Sequence, residues 1–252
     1  MPDQLDRLLS IMRTLRDPER GCEWDRAQQF ETIVPHTIEE AYEVADAVAR
    51  GDLADIRDEL GDLLFQVVFQ ARIAEEAGHF DFGDVAQSIA DKLEARHPHI
   101  FGDDDLPGGM REERWEALKA AERQHKGATS ALDGVALALP ALMRAEKLQK
   151  RASRTGFDWP DPSGPADKLV EEMRELAEAP IDEREEEAGD LLFAAVNLVR
   201  AYGISPETAL RGANAKFERR FRAMEAEAGA AFEHLSLDGQ EALWQQIKRQ
   251  ER

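Results

Sequence analysis

The chain is short of cysteine, of basic charge and of long apolar runs. A single cysteine, Cys22, among 252 residues leaves no internal disulfide to form. That fits a reducing cytoplasm, the expected location, and Cys22 reads as a small buried hydrophobe. No apolar stretch approaches the roughly 20 residues needed to span a bilayer. The start, Met-Pro-Asp-Gln-Leu-Asp-Arg, has neither a basic opening nor a hydrophobic stretch, so no signal peptide and no membrane partner are expected. Thirty-two Lys and Arg against 52 Asp and Glu give a formal charge of −20. A nucleic-acid partner needs a basic surface that displaces counterions from phosphates, so none is expected. The same charge repels a free nucleotide unless bound cations or local basic groups reverse the field. The one basic stripe, Arg144, Lys147, Arg151 and Arg154, reads as a solvated face or one that pairs with acidic helices.

What is abundant is Ala, Leu, Glu, Arg and Gln, with apolar residues recurring at three and four. This predicts an all-α chain. Pro and Gly gather in a few breaks: Pro18, Pro98, Leu106–Gly109, the stretch from Gly127 to Pro140, Trp159 to Pro165, and Gly203. Ser205-Pro206-Glu207 reads as a cap followed by proline at the first helical position.

The two halves repeat each other. Trp24, Glu40, Glu43, Glu59, Asp62, Lys92, Arg96, Trp115 and Lys119 recur in order as Trp159, Glu172, Glu175, Glu187, Asp190, Lys216, Arg220, Trp244 and Lys248. The expected organisation is a tandem pair of four- to five-helix bundles, residues 1–126 and 140–252, joined by a small-residue linker at 127–139.

Each half carries a Glu-Glu-x-x-Glu run and then a Glu-x-x-Asp run that opens an apolar helix. Residues three apart on a helix lie about 60° apart, so both carboxylates of a pair face one way. Glu172 and Glu175 flank the stripe Leu169, Val170, Met173 and Leu176. From Glu187 to Val199 the wheel is apolar almost all round, which predicts a central, buried helix. Its polar residues Glu187, Asp190 and Asn197 share one narrow stripe. Close, buried carboxylates are strongly unfavourable without a compensating cation. All-oxygen ligands point to Mg²⁺, with Mn²⁺ as a substitute, and not to zinc. The Glu-x-x-His spacings at Glu76/His79, Glu94/His97 and Glu122/His125 sit beside helix breakers and are absent from the second half, so they read as incidental. Lys168, one turn before Glu172, and Lys216, Arg219 and Arg220 on one helix offer charge for phosphate. Trp244 and Lys248 form a further i, i+4 pair, with Trp244 alone reading as a core residue.

These residues resemble the MazG family of nucleoside triphosphate pyrophosphohydrolases, within the all-α NTP pyrophosphatase superfamily. The resemblance spans nearly the whole chain. It includes Cys22-Glu-Trp-Asp25, Thr37-Ile-Glu-Glu-Ala-Tyr-Glu43, Glu59-Leu-Gly-Asp-Leu-Leu-Phe65, Arg96-His-Pro-His-Ile-Phe101, Leu139-Pro-Ala-Leu-Met143 and Lys216-Phe-Glu-Arg-Arg220. It implies Mg²⁺-dependent hydrolysis of NTPs and dNTPs to monophosphate and pyrophosphate with broad base tolerance, by a homodimer of helical bundles. It implies that Glu172, Glu175, Glu187 and Asp190 ligate metal, and that Lys168, Glu171, Lys216, Arg219, Arg220, Trp244 and Lys248 surround the nucleotide. The chemistry expected is attack of a metal-activated water on the α-phosphorus, a glutamate of the first helix accepting its proton. Glu40, Glu43, Glu59 and Asp62 form a possible second site. Phe69 stands where the second half has Asn197, and Pro98 ends a helix that continues past Phe221 in the second half, so the C-terminal copy is expected to be the main catalyst. The alternatives are a narrow sanitiser of dUTP, dCTP or a damaged nucleotide, and a non-catalytic metal-binding regulator. The Lys216/Arg220 and Trp244/Lys248 pairs speak against the last.

Overall fold

The computed structural model describes residues 2–102, 112–125 and 127–251. Among them the regular elements are all helical, as the three-and-four periodicity requires. The break at Leu106–Gly109 lies outside the described residues. Two compact units divide the chain, Met1–Trp115 and Glu116–Arg252. The division falls inside a helix, and the segment 127–139 belongs to the second unit.

The first unit contains α1 (Pro2–Leu15), α2 (Glu23–Ala27), α3 (Phe30–Arg50), α4 (Leu53–Glu76), α5 (Phe82–Arg96) and α6 (Pro98–Phe101). The next helix, α7 (Glu112–His125), carries the division. In the second unit follow α8 (Ala141–Ser153), α9 (Ser163–Glu178), α10 (Arg184–Ala201), α11 (Pro206–Ala228), a 3-10 turn (Gly229–His234) and α12 (Leu237–Gln250). The order of α1, α3, α4 and α5 is repeated by α8, α9, α10 and α11.

The hairpin that carries the carboxylates is built differently in each unit. In the first, Gly51 ends α3 at φ 74°, a left-handed backbone that glycine adopts without steric cost. Asp52 then caps α4, its side chain accepting from the amides of Ala54 and Asp55. In the second, residues 179–183 connect α9 to α10, and no side chain caps the start of α10. Three glutamates in its first turn, Glu185, Glu186 and Glu187, lie against the positive end of the helix dipole.

The cores differ too. Met12, Ile33, Val68 and Phe69 bring α1, α3 and α4 together in the first unit, with Phe65, Ile73 and Phe82 against them. In the second unit Ala194, Val196, Met224 and Ile247 are buried, as are Pro165 and Pro206. No helix among the described residues is long and apolar enough to cross a membrane.

Several sequence expectations need correction. Cys22 is exposed, because it precedes α2 at the surface and does not enter the core. The Glu-x-x-Asp runs do not open their helices: α4 starts six residues before Glu59, and α10 starts three before Glu187. Nor is α10 buried all round, since Leu192 is 61% exposed and Phe193 45%. One unit has too few helices to cover every face of it. Ser205 does sit at the N-cap of α11, but no backbone amide bonds to its side chain, whose Oγ receives the Thr208 hydroxyl at 3.2 Å.

Candidate active site

Helices α9 and α10 lie side by side and present their carboxylates to each other. Glu172, Glu187 and Asp190 offer oxygens that all lie within 4.8 Å of one another. Glu172 is only 4% exposed. Its Oε1 pairs with Lys168 Nζ at 2.6 Å, one helical turn away, and Lys168 also reaches Glu171 at 2.7 Å. Glu172 Oε2 is buried and meets no donor. A buried carboxylate oxygen without a partner is costly, and two more carboxylates beside it add repulsion. A divalent cation with hard-oxygen preference satisfies that donor set. The crowding is visible in the protonation equilibria. Burial, then the charges of Glu175, Glu172 and Asp190, push the Glu187 carboxyl above its usual range. Hydrogen bonds to Glu171 and Glu172 push the Lys168 ammonium upward, and Lys168 in turn holds Glu171 low. Glu175 is half-buried and lies outside the closest triple.

Beside the carboxylates opens a cavity of about 490 Å³, onto which Lys168, Glu172 and Asp190 all face. Its remaining walls come from Leu132, α8, α10 and the segment before α9, among them Gln149, Phe157, Trp159, Ala194 and Asn197. Trp159 lies so close over the start of α9 that a Cβ on Gly164 would fall 2.0 Å from the ring's Cδ1. Glycine there makes the contact possible. Asp158 grips Arg200 with two bonds, at 2.7 and 3.0 Å, and Arg200 in turn donates to Asn197 Oδ1. The hydrogen bond from Arg200 holds the Asp158 carboxyl below its usual range.

The other basic residues form a group of their own on α11 and α12. Arg219 and Arg220 both pair with Glu251, at 2.9 and 2.7 Å, holding its carboxyl low, and Arg220 lies over the Trp244 ring at 5.5 Å. Trp244 also meets Phe217, with ring centroids 5.6 Å apart. Lys216 and Lys248 lie on the same two helices. Among the described residues no hydrogen bond or ion pair joins this group to the carboxylates, which Lys168 engages from their own helix. The basic stripe of α8 works within the unit: Arg154 pairs with Glu116 at 2.8 Å, and Arg151 donates to the carbonyls of Ala131 and Asp133.

In the first unit Glu40, Glu43 and Glu59 converge within 4.8 Å, a different triple in which the counterpart of Glu175 is inside and Asp62, the counterpart of Asp190, is outside. Burial, then Glu43 and Asp62, raise the Glu40 carboxyl, while Gln66 Nε2 approaches it at 3.4 Å. No histidine joins either triple among the described residues. Glu76 is held by Arg16 and Arg72, and His97 Nδ1 by the Leu93 carbonyl.

Gln149, Phe157, Asp158 and Arg200 escaped the sequence reading. The one trace of them was Arg200, three residues after Asn197 and so on its face of the helix.

The described residues are thus helical and gather two carboxylate triples, one of them beside a cavity. Similarity to known proteins fixes the family. The model of the MazG nucleotide pyrophosphohydrolase domain matches residues 28–101 and 164–224, once in each half. A nucleoside triphosphate pyrophosphohydrolase of Escherichia coli strain K12 is 52% identical, over 99% of this chain and 98% of that one. The nucleoside triphosphate pyrophosphohydrolase/pyrophosphatase MazG of Thermotoga maritima is 44% identical, over 96% and 95%. A crystal structure of a MazG-related protein from Thermotoga maritima, 30% identical, aligns with 46% of this chain and 98% of its own at a TM-score of 0.38. The chain belongs to the MazG nucleotide pyrophosphohydrolase family, and is an enzyme of that kind.

Proposed function

We propose that the second unit hydrolyses nucleoside triphosphates, with little regard to the base, to the monophosphate and pyrophosphate in the presence of Mg²⁺. The observation that carries this reading is Glu172 Oε2, buried without a donor beside Glu187 and Asp190 and opening on the cavity. The relatives' names supply the substrate class.

Glu172, Glu187 and Asp190, with Glu175 alongside, would hold Mg²⁺, or Mn²⁺ in its place. The cation supplies charge that draws electron density from phosphate oxygens and acidifies a nearby water. Lys168 fixes Glu172 through one oxygen, which leaves the other free, and keeps its third N–H to donate to a phosphate. Glu175 accepts the proton of the attacking water. As the new bond to the α-phosphorus forms, the bond to the bridging oxygen breaks and pyrophosphate leaves. Within the Glu-Glu-x-x-Glu run of α9, Glu175 is the one that Lys168 does not engage, so its lone pairs are available. Lys216, Arg219, Arg220, Trp244 and Lys248 serve the phosphates and the base once Glu251 gives up the two guanidiniums.

A second copy of the chain covers the apolar face of α9 and α10. Val170, Met173 and Leu192 are 67%, 58% and 61% exposed, which is far outside the behaviour of core residues. A monomer in sedimentation equilibrium at micromolar concentration would remove the dimer from this proposal.

Product analysis on a panel of NTPs and dNTPs with Mg²⁺ tests the reaction. The expected products are monophosphate and pyrophosphate from every substrate. Orthophosphate in place of pyrophosphate, or no turnover, would overturn it.

A further inference from the structure

The basic stripe of α8 holds more charge than its partners within the protein use. Arg144, Lys147, Arg151 and Arg154 fall within about 80° of the helix wheel. Arg151 donates to the Ala131 and Asp133 carbonyls through Nη1 alone, and its Nε and Nη2 meet no acceptor among the described residues. Arg154 shares Glu116 with Lys119, which holds the other carboxylate oxygen at 3.0 Å. In the last turn of α7, Arg123 is half-buried and makes no hydrogen bond or ion pair among the described residues. Its side chain runs beside Gly134, where an added Cβ would stand 3.7 Å from Arg123 Cδ. Burial, then the charges of Arg123 and Arg154, hold the Arg151 guanidinium below its usual range, with Glu116 opposing them. Three guanidiniums thus crowd together in a chain whose net charge is −20. Like charges in partly buried surroundings repel unless an anion joins them. The segment between the two helices is a closed turn, in which Asp133 Oδ2 accepts the amides of Thr129 and Ser130 at 2.7 and 2.8 Å. Leu132, within that turn, is also a wall of the cavity beside Glu172 and Asp190.

We propose that Arg123, Arg151 and Arg154 form an anion site for a diphosphate group, built on α7 and α8 and apart from the carboxylates of α9 and α10. Guanidiniums suit phosphoryl oxygens because their N–H groups form a planar fork. The open edge of Arg151 and the whole fork of Arg123 supply the donors, and Arg154 adds charge. Three cations match the charge of a diphosphate better than that of a single phosphate. The ligand that fits is inorganic pyrophosphate or the diphosphate end of a nucleotide. An anion that bridges Arg123 and Arg151 ties α7 to α8 across the turn that Arg151 already grips, and so steadies Leu132 in the cavity wall. The site thereby couples an anion in solution to the cavity without entering it.

The test is isothermal titration of the full chain with inorganic pyrophosphate in EDTA, without Mg²⁺, so that the bare carboxylates of α9 and α10 repel the anion. Saturable binding is expected, and Arg123→Gln should weaken it by about tenfold or more through lost charge-assisted bonds. Arg123 bonds nothing among the described residues, so this variant should fold. If circular dichroism shows otherwise, Arg154→Gln, which leaves Glu116 its bond to Lys119, replaces it. Arg219→Gln should leave the binding in place. ADP should bind within about tenfold of pyrophosphate, since the phosphates alone are held. Hydrogen exchange at residues 130–135 should slow when the anion binds. No saturable binding, binding that survives loss of the arginines of α7 and α8, or binding lost with Arg219 would overturn the site. So would ADP binding with no response to pyrophosphate. Exchange unchanged by a bound anion would overturn the coupling to Leu132. None of these measurements uses turnover, so the hydrolase reading stands or falls by its own products.

Discussion

The two units carry the same carboxylates and differ in what stands behind them. Counting from the shared Glu-x-x-Asp, Gln66 and Phe69 of α4 occupy the places of Ala194 and Asn197 in α10. Phe69 is fully buried and meets Phe65 and Trp24 edge-on, with ring centroids 5.7 and 6.5 Å away, while Arg16 lies over its face. The same volume beside α10 is open. One step back along the first helix, His36 and Thr32 stand where the second unit has Lys168 and Gly164. His36 pairs with Glu39 at 3.6 Å and meets the Trp24 ring, whereas Lys168 reaches both Glu171 and Glu172. A duplicated site has thus been used in two ways. One copy fills the space behind its carboxylates with core, and the other leaves it open.

The sharpest way to break this comparison is to remove one carboxylate from each unit. Glu172→Ala should cut pyrophosphate release by more than about 100-fold, beyond the usual effect of disturbing groups behind a metal site, and Glu40→Ala should leave most of it. The reverse result would move the catalyst to the first unit. A large difference is also expected in stability. Phe69→Ala opens a cavity in a packed core and should cost about 3–5 kcal/mol in urea unfolding. Asn197→Ala removes the acceptor of two bonds from the Arg200 guanidinium, and about 1–3 kcal/mol should follow. Equal costs would mean that the second unit's cavity is as tightly packed as the first unit's core. A smaller effect is expected from Gly164→Ala, whose new methyl must push the Trp159 ring away. KM should rise by about tenfold at most, the scale of a lost aromatic contact, with kcat less affected. An unchanged KM would take Trp159 out of the pocket.

The smallest effect concerns charge. The Glu187 carboxyl lies above its usual range, so the folded protein binds this proton more tightly than the unfolded chain. Its ionised form therefore weakens the fold at neutral pH. Without metal, Glu187→Gln should melt slightly higher than wild type at pH 7, and the advantage should fade as pH falls through the raised Glu187 pKa. A gain that persists in strong acid would show that charge is not its cause.

The carboxylates, the duplication and the helical architecture were legible in the sequence because they rest on short spacings. Glu172 with Glu175 and Glu187 with Asp190 are three apart, and a helix turns such spacings into geometry. The cavity was not legible, since Gln149, Trp159 and Arg200 come from three separated segments whose meeting depends on packing. The weight given to an all-apolar wheel misled the reading of α10. Hydrophobicity tells which residues leave water, but not whether the same chain covers them, and Leu192 shows the difference.

The unequal helix starts carry one more consequence. Glu59 is the seventh residue of a helix whose first turn Asp52 ties down, so its place does not depend on the helix end. Glu187 is the fourth residue of a helix that starts without a side-chain cap. Terminal turns open and close far more readily than helix centres. In α10 each such opening carries Glu187 away from Glu172 and Asp190, so local order and ligand-holding are one equilibrium. An occupant of the carboxylates that grips Glu187 quiets the end of the helix, and a more ordered end raises the affinity for that occupant by the same factor.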